Sequence, residues 1–482
     1  MLFNSIHFAI FLPVVFLLYW FVVNKNLKLQ NFLLLVSSYF FYACWDWRFL
    51  FLLIFSTFLD YYSGIQISNS NNNRKKYWFW FSIVINLGVL ISFKSYNFFA
   101  TSFVEFISNF GLKINVRILN VILPIGISFY TFHGLSYIID IYNNKIKPEK
   151  NFVNYGVFVS FFPLLVAGPI ERATHLLPQI KKNRIFNYQY AVEGLRQILW
   201  GLFKKLVIAD QCAVFVNLAF ENPQEYSGSS LILVAVLFSF QIYGDFSGYS
   251  DIAIGTAKLF GIELLQNFSF PYFSRNIAEF WRRWHISLSN WFRDYLYIPL
   301  GGNRGSLWLK IRNVFIIFIV SGFWHGAQWI FLIWGLLHAL FILPSVVFKT
   351  NRNHLDIVAK GKYLPSVREF LSMLITFSTV TFAFIFFRSE NLNDAVTYIH
   401  HIYTKPFYSL NDFSLLKEIV KISIPFLFFI SVEWLGREKQ FPIATLENQF
   451  KKPVRWLIYC FILLLIGLYM QTEQTPFIYF NF

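Results

Sequence analysis

The sequence has few charged residues and few cysteines. Only 14% of its 482 residues are charged, against about 25% in an average soluble protein, and 56% are hydrophobic. This composition excludes a soluble globular protein and predicts a polytopic integral membrane protein, with a single domain over residues 1–482. Cys44, Cys212 and Cys460 are odd in number and widely spaced, so neither a disulfide framework nor a cysteine-based metal site is expected.

Several common functional signals are also missing. The glycines follow no phosphate-loop or dinucleotide pattern, there is no nucleophile elbow, and the absence of an internal repeat weighs against an inverted-repeat transporter. The N-terminus lacks a basic region and a cleavage site, so we interpret Phe8–Val23 as a retained first span. Acidic residues number 25 against 41 Lys and Arg, a net charge of +16. We assign this excess to basic cytoplasmic loops, and predict contact with the lipid bilayer but no nucleic-acid partner.

Long apolar segments are abundant, and roughly ten to thirteen of them are expected to enter the membrane, some as re-entrant elements. The candidates are Phe8–Val23, Leu29–Ala43, Phe49–Ile67, Tyr77–Phe93, Val116–Ile141, Phe152–Gly168, Leu195–Val216, Leu231–Leu259, Ile311–Phe323, Trp329–Phe348, Phe370–Phe387, Ile422–Trp434 and Trp456–Tyr469. Basic connections follow every second early span, which predicts an extracytoplasmic N-terminus. This count leaves Phe98–Phe110 as a surface-lying segment.

Residues Pro271–Arg312 do not fit the pattern of apolar spans joined by polar loops, because they are too polar for a lipid-facing span and too aromatic for a free loop. Trp, Tyr and Arg concentrate at membrane interfaces, so an interfacial or re-entrant helix is predicted. Asn276 and Glu279 resemble a capping box that would start this helix just before Phe280. The glycine pair at 301 and 302 would end the element in a turn.

A Trp324-His325-Gly326 triplet lies inside one of the candidate spans. Ionisable groups are costly at bilayer depth and usually face a cavity or a partner. A neutral imidazole can accept a hydroxyl proton as a general base. A core histidine bonded to a neighbouring carbonyl is an equally weighted alternative for His325.

Other buried histidines are further candidates. On a helix that starts near residue 277, Trp281, His285 and Leu288 would share one face, although packing among tryptophans also explains His285. His338 follows thirteen residues after the triplet, and packing is the favoured explanation for it, while His133 is a weaker candidate. Their spacings match no short ligand motif, so no metal site is predicted.

Two carboxylates, Asp245 and Asp251, lie six residues apart in a hydrophobic segment. Acid pairs can perform acid–base chemistry, but they also form ion pairs with arginines such as Arg282, Arg283 and Arg293. We favour the ion-pair interpretation.

Read together, these stretches resemble the membrane-bound O-acyltransferase superfamily, and within it the bacterial polysaccharide O-acetyltransferase branch. The matching stretches, which run in order along nearly the whole chain, are Leu123–Phe132, Phe161–Arg172, Gly201–Asp210, Asp245–Asp251, Phe280–Arg304, Ser321–Gly326 and Pro476–Phe482. The densest part covers about residues 120–345. A Trp-His-Gly triplet alone is a weak signal, whereas the ordered set is specific.

The resemblance implies an all-α helical bundle with a tunnel through the bilayer. It also implies that His325 is the catalytic histidine and that His285 occupies the second active-site position. We expect Trp324, Asp245, Arg282, Asn290 and His338 along the tunnel. The implied co-substrate is acetyl-CoA or another acyl donor, with no bound cofactor.

The function implied is O-acetylation of an extracytoplasmic polysaccharide, such as an alginate-like exopolysaccharide or peptidoglycan, from a cytoplasmic acyl donor. A periplasmic acetyltransferase partner and a location in the inner membrane are expected by the same resemblance. Two alternatives stay open at this point: D-alanyl transfer to teichoic acid, and a transporter or flippase with a histidine proton relay.

Overall fold

The computed structural model describes residues 1–112, 114, 116, 118, 122–409, 412–471 and 477–478, without the side chains of 413–416 and 418. Within these residues every regular element is helical, which confirms the all-α prediction. The α-helices of the N-terminal part are α1 (Ile6–Leu17), α2 (Leu27–Asn69), α3 (Asn72–Lys94), α4 (Tyr96–Ser108), α5 (Ile127–Tyr142), α6 (Phe152–Ser160), α7 (Phe162–Ala167), α8 (Ala173–Ile180) and α9 (Tyr188–Phe203).

The remaining helices are α10 (Asp210–Glu221), α11 (Gly228–Leu259), α12 (Ile277–Arg283), α13 (Ile286–Phe292), α14 (Leu307–His325), α15 (Trp329–Val347), α16 (Val367–Arg388), α17 (Leu392–Thr404), α18 (Asp412–Gly436), α19 (Leu446–Gln449) and α20 (Lys452–Tyr469). Short π-helical segments occur at Leu18–Val22, Lys204–Ala209 and Arg293–Tyr297. Two single turns of 3₁₀-helix lie at Pro223–Glu225 and Pro271–Phe273.

Eight helices in the described part of the chain are long and apolar enough to cross a membrane, so the protein is a multi-pass membrane protein. They are α2, α3, α11, α14, α15, α16, residues Ile419–Gly436 of α18, and α20. Ile6–Val22 and Phe152–Ala167 are shorter apolar segments. The predicted N-terminal orientation stays a prediction.

The chain divides into two compact units. The first comprises Met1–Ala191 with Thr256–Leu265, and the second comprises Val192–Gly255 with Gln266–Phe482. The single-domain prediction stays a prediction.

Four of the predicted spans have different bounds in the structure. The two segments predicted over Leu29–Ala43 and Phe49–Ile67 are the arms of α2, which is interrupted by the extended backbone of Asp46. Residues 152–168, predicted as one span, form α6 and α7, because Phe161 leaves helical geometry and Pro163, in the first turn of α7, has no N–H to continue the bonds of α6. The predicted span Val116–Ile141, which lies partly outside the described residues, is helical from Ile127 onward.

The spans α14 and α15 form a tight antiparallel hairpin in the second unit. A Cβ atom on Gly322 would clash with the backbone oxygen of Phe331, and one on Gly335 would clash with that of Phe318. The two glycines therefore let the helix backbones approach closely, as small residues do in membrane interfaces. Ser306 caps the start of α14 by accepting a bond from the Leu309 N–H at 3.4 Å.

The aromatic region Pro271–Arg312 contains two short helices in place of one. Asn276 caps α12 as predicted, with its Oδ1 accepting from the Glu279 N–H at 2.8 Å. The helix ends at Arg283, and Trp284 is extended before α13 begins. The turn predicted at 301–304 is present.

Candidate active site

His325 is the last residue of α14 and is 4% exposed. The next residue, Gly326, has extended backbone and ends the helix, and a Cβ atom there would clash with the Phe331 ring. Glycine at this position therefore lets α15 approach the histidine. The end of a membrane span thus carries a buried imidazole at a close helix contact.

Around His325 the rings of alternating histidines and tryptophans lie in edge or tilted contact. We call this set the ring ladder: His285, Trp324, His325, Trp334 and His338. The centroid distances along it are 6.0, 4.8, 5.0 and 4.8 Å. All five residues belong to the second unit and are at most 7% exposed. The structure therefore brings together four residues that the sequence analysis selected, and adds Trp334.

The far end of the ladder is fixed by a hydrogen bond. The indole N–H of Trp281 donates to Nδ1 of His338 at 3.3 Å. His338 Nε2 has no hydrogen-bond partner among the residues that the structure describes. His338 lies on α15 and Trp281 on α12, so this bond joins the short helix to the span.

His285 stands at the break between α12 and α13, which corrects the prediction that it shares a continuous helix face with Trp281 and Leu288. Its backbone is left-handed, with φ 43° and ψ 54°. A histidine in this conformation is uncommon and is held by surrounding contacts. The break turns the ring toward Trp324 and toward Phe246, whose centroid lies 4.7 Å away.

Asn267 supports this strained backbone on its C-terminal side. Its carbonyl accepts the Ile286 N–H at 2.9 Å, and its Oδ1 accepts the Ser287 hydroxyl at 2.6 Å. Two residues later, the Ser269 N–H donates to the Arg283 carbonyl at 3.0 Å. No local signal in the sequence marks Asn267, because these bonds join segments whose pairing only the fold determines.

Burial determines the charge of His285, which lies outside the eight spans. The ring is 1% exposed, and burial lowers the pKa of His285 to about 3. A neutral imidazole carries one N–H donor and one acceptor nitrogen. It can therefore hydrogen-bond a carbonyl oxygen without adding a buried charge.

Asp245 is an ion-pair residue, as favoured from the sequence, but its partner is a lysine and not an arginine. Lys205 Nζ lies 2.7 Å from Asp245 and 2.8 Å from Asp210. Beside it, Lys204 Nζ lies 2.6 Å from Asp251. The π-helical segment Lys204–Ala209 supplies both cations, so the pairing depends on a local helix irregularity that the sequence did not indicate.

Arg282 and Asn290 are not part of the ring ladder. Arg282 donates to the carbonyls of Asn351, Asn353 and His354 at 2.6 to 3.1 Å. Asn290 lies on α13, one turn beyond His285, and is partly exposed. Their predicted places along a tunnel stay predictions.

Helix α12 is held in place by the buried carboxylate of Glu279, which the sequence analysis considered only as part of a capping box. Glu279 is 1% exposed and accepts from Arg275 at 3.1 Å and from Arg283 at 2.9 Å. Arg275 also contacts Asp356 at 3.0 Å. Because these contacts fix the helix that precedes His285, they support the site without touching the ladder.

His133, the weaker candidate, lies in the first unit and is bonded to backbone. Its Nε2 accepts the Glu171 N–H at 3.1 Å, and its Nδ1 faces the Val159 carbonyl at 3.5 Å. Among the residues that the structure describes, no group of three or more His, Cys, Asp or Glu side chains is arranged to hold a metal ion. Within the described part of the chain, the ring ladder gathers three imidazoles in aromatic surroundings, and a neutral imidazole can transfer a proton.

Comparisons with known proteins identify the family of the chain. Residues 142–387, which include the whole ladder, match the model of the membrane-bound O-acyltransferase family. The chain is 38% identical to the probable alginate O-acetylase of Pseudomonas aeruginosa over 394 residues, 81% of this chain and 72% of that protein. It is 37% identical to the peptidoglycan O-acetyltransferase of Helicobacter pylori over 426 residues, 82% of this chain and 78% of that protein. The teichoic acid D-alanyltransferase of Bacillus subtilis matches at 32% identity over 56% of this chain and 70% of its own length.

Proposed function

The chain belongs to the membrane-bound O-acyltransferase family and is an O-acyltransferase, and from this premise we propose that it O-acetylates a cell-surface polysaccharide or peptidoglycan. The extent of the match supports acetyl over D-alanyl transfer. The likeness to O-acetyltransferases covers 81–82% of the chain, whereas the likeness to the D-alanyltransferase covers 56%. The likeness to the O-acetyltransferases therefore includes much of the chain that the D-alanyltransferase does not match.

The observation that carries the proposal is the ring ladder, in which Trp324 lies between His285 and His325. We assign His325 the role of general base. It takes the proton from the acceptor hydroxyl, or from the nucleophile of an intermediary protein, as the oxygen attacks the acyl carbonyl. The proton then passes to the leaving group as the bond between the acyl carbon and that group breaks.

We assign His285 the role of a hydrogen-bond donor to the acyl carbonyl oxygen. Charge develops on that oxygen in the tetrahedral intermediate, and a donor fixed in advance stabilises it. The left-handed backbone that Asn267 supports provides the fixed position. The surrounding rings exclude water, which protects the acyl donor from hydrolysis.

The donor in this proposal is acetyl-CoA, entering from the cytoplasmic side, and the acceptor is reached from outside through a periplasmic partner protein. The protein then lies in the inner membrane with its N-terminus outside. This orientation follows from the basic loops after alternate spans.

The test compares cells that carry the intact protein, His325→Ala, or the control His400→Ala, at matched membrane levels. His400 is exposed on α17, away from the ladder residues in sequence. Ester-linked acetate is released by mild alkali from the purified polysaccharide and peptidoglycan fractions. We expect acetate to disappear from one fraction with His325→Ala only, which would identify the acceptor. Unchanged acetate in every fraction would refute the proposal, and loss of D-alanine esters instead would indicate the teichoic-acid reaction.

A further inference from the structure

A cavity in the second unit lies apart from the ring ladder. It has a volume of about 440 Å³ and is walled mainly by aromatic and aliphatic side chains of α16 and α18. Met373, Phe377 and Phe429 form part of this wall. The one acidic lining residue, Glu433, is occupied by other groups, because it accepts from the Trp200 indole at 3.0 Å and from the Tyr243 hydroxyl at 2.7 Å. The interior is therefore suited to a hydrocarbon and offers no free polar anchor.

The cavity opens on the outer side of α16. Leu364, Phe370 and Leu374 line it and are 77%, 54% and 50% exposed. Because α16 is one of the eight spans, this opening faces the hydrocarbon of the bilayer near the N-terminal end of the helix. A water-sized group occupies about 30 Å³, so a cavity of this volume has space for about 15 such groups. This is about the size of one lipid acyl chain.

The rim beside the opening is basic. Lys360, Lys362 and Arg368 are all exposed, and they flank the lining residues Leu364 and Pro365. An exposed cationic rim at the end of a span complements an anionic headgroup. Two carboxylates lie beside these cations, because Glu369 closes the capping box at the start of α16 and Glu438 accepts the Gly361 N–H at 2.7 Å. The exposed cations of the rim therefore provide the attraction to a headgroup.

The loop that carries this rim is tied to α18. Arg437 donates to the carbonyls of Val358 and Ala359 at 3.0 and 2.7 Å. The Trp434 indole donates to the Tyr363 carbonyl at 2.7 Å. The opening therefore keeps its shape without an occupant, and binding requires little ordering of the protein.

We propose that this cavity binds one acyl chain of an anionic glycerophospholipid from the surrounding bilayer, with the lipid phosphate at the Lys360–Arg368 rim. The cavity opens on hydrocarbon and has an apolar wall, so an alkyl chain that enters it gains dispersion contacts with the lining side chains. The Lys and Arg side chains of this rim favour a cytoplasmic position by the positive-inside rule, and anionic lipids concentrate on that side of the membrane. This site is independent of the proposed acetyl transfer.

The experiment uses the full-length protein in nanodiscs of phosphatidylcholine with a trace of phosphatidylglycerol that carries a photoreactive acyl chain. Cross-linked peptides are mapped by mass spectrometry. We expect labelling of α16 and α18 residues that line the cavity, and its loss in Met373→Trp, which fills the cavity. Ile375→Trp is the matched control, because Ile375 is 66% exposed on the same helix and does not line the cavity.

A second arm tests the headgroup without altering the core. In Lys362→Gln/Arg368→Gln, labelling by phosphatidylglycerol should fall about fivefold per removed charge, while labelling by a photoreactive phosphatidylcholine should not change. Equal labelling in Met373→Trp and in the intact protein would overturn the proposal. Equal labelling by the two lipids, or displacement by a long-chain acyl thioester but not by unlabelled phosphatidylglycerol, would also overturn it.

Discussion

The two units each bury histidines, and they use them in different ways. In the first unit both ring nitrogens of His133 face backbone groups, the Glu171 N–H and the Val159 carbonyl, so the ring joins two chain segments. In the second unit, among the residues that the structure describes, His338 has a hydrogen-bond partner at Nδ1 and none at Nε2. His325 is packed against the rings of Trp324 and Trp334. The bonds of His133 to backbone join two chain segments, whereas His325 lies among aromatic rings, where we propose that it acts as the general base.

The largest effect that this comparison predicts is a separation of activity from stability. His325→Ala should lower acetyl transfer per folded molecule by about 10²–10⁴-fold, because it removes the general base. His133→Ala should leave the turnover of the folded protein unchanged. It should cost about 1–3 kcal/mol in unfolding free energy for each buried backbone group left without a partner.

The measurement pairs acetate-ester formation by purified protein with thermal unfolding followed by intrinsic fluorescence. Both variants are quantified as folded protein by size-exclusion chromatography. If His133→Ala reduced turnover as strongly as His325→Ala, the distinction between the two kinds of buried histidine would fail.

A second prediction concerns the support of His285. Asn267→Ala and Ser287→Ala each remove the same hydrogen bond, between the Ser287 hydroxyl and Asn267 Oδ1. Each should lower kcat by about tenfold, within the range of up to about 10²-fold that a small misplacement costs, with KM for the donor nearly unchanged. Steady-state kinetics of the two single variants and the double variant test this.

Because the two variants break one bond, the double variant should be no slower than the slower single variant. Multiplicative losses in the double variant would mean that the residues act separately, and would contradict a shared role in holding the left-handed backbone.

A third prediction compares two span glycines with different surroundings. Gly335→Ala places a methyl group against the Phe318 carbonyl in the α14–α15 hairpin and should destabilise the protein by about 1–3 kcal/mol. Gly88→Ala on α3 meets no atom within 4 Å, and is expected to be neutral or to stabilise by about 0.5–1 kcal/mol. Unfolding in detergent, monitored by circular dichroism, measures both. A larger loss for Gly88→Ala than for Gly335→Ala would show that close packing of the hairpin is not what these glycines provide.

Features with a strong local signal could be predicted from the sequence. The spans that became α14, α15 and α16 were placed to within a few residues, because their apolar runs are continuous and bounded by polar caps. The Asn276 cap was also correct, since a capping pattern involves residues only three apart. The family resemblance depended on several such local motifs in order, and the family match confirmed it.

The parts that could not be predicted depend on distant partners. The helix break at His285 is stabilised by Asn267, eighteen residues earlier, and nothing near either residue indicates the bond. Asp245 was expected to pair with an arginine, but its partner is Lys205, which lies in a π-helical segment. A single sequence shows which residues need partners, and the fold determines which partners they find.

The smallest predicted effect is a pH dependence that belongs to the first unit. His175 Nδ1 lies 2.8 Å from a Glu171 carboxylate oxygen, and this hydrogen bond raises the pKa of His175 above its ordinary value. A raised folded-state pKa means that the pair stabilises fully below about pH 6.5, the unfolded value, and that this stabilisation is lost as pH rises through the folded-state pKa. Because the His175 side chain is 34% exposed, solvent screening keeps the effect under about 1 kcal/mol.

Melting temperatures of the intact protein and His175→Gln, recorded from pH 5.5 to pH 9, should differ most at the acidic end and converge at the basic end. A difference that grew with pH would refute the assigned sign, and with it the view that the first unit uses this histidine to hold its fold together.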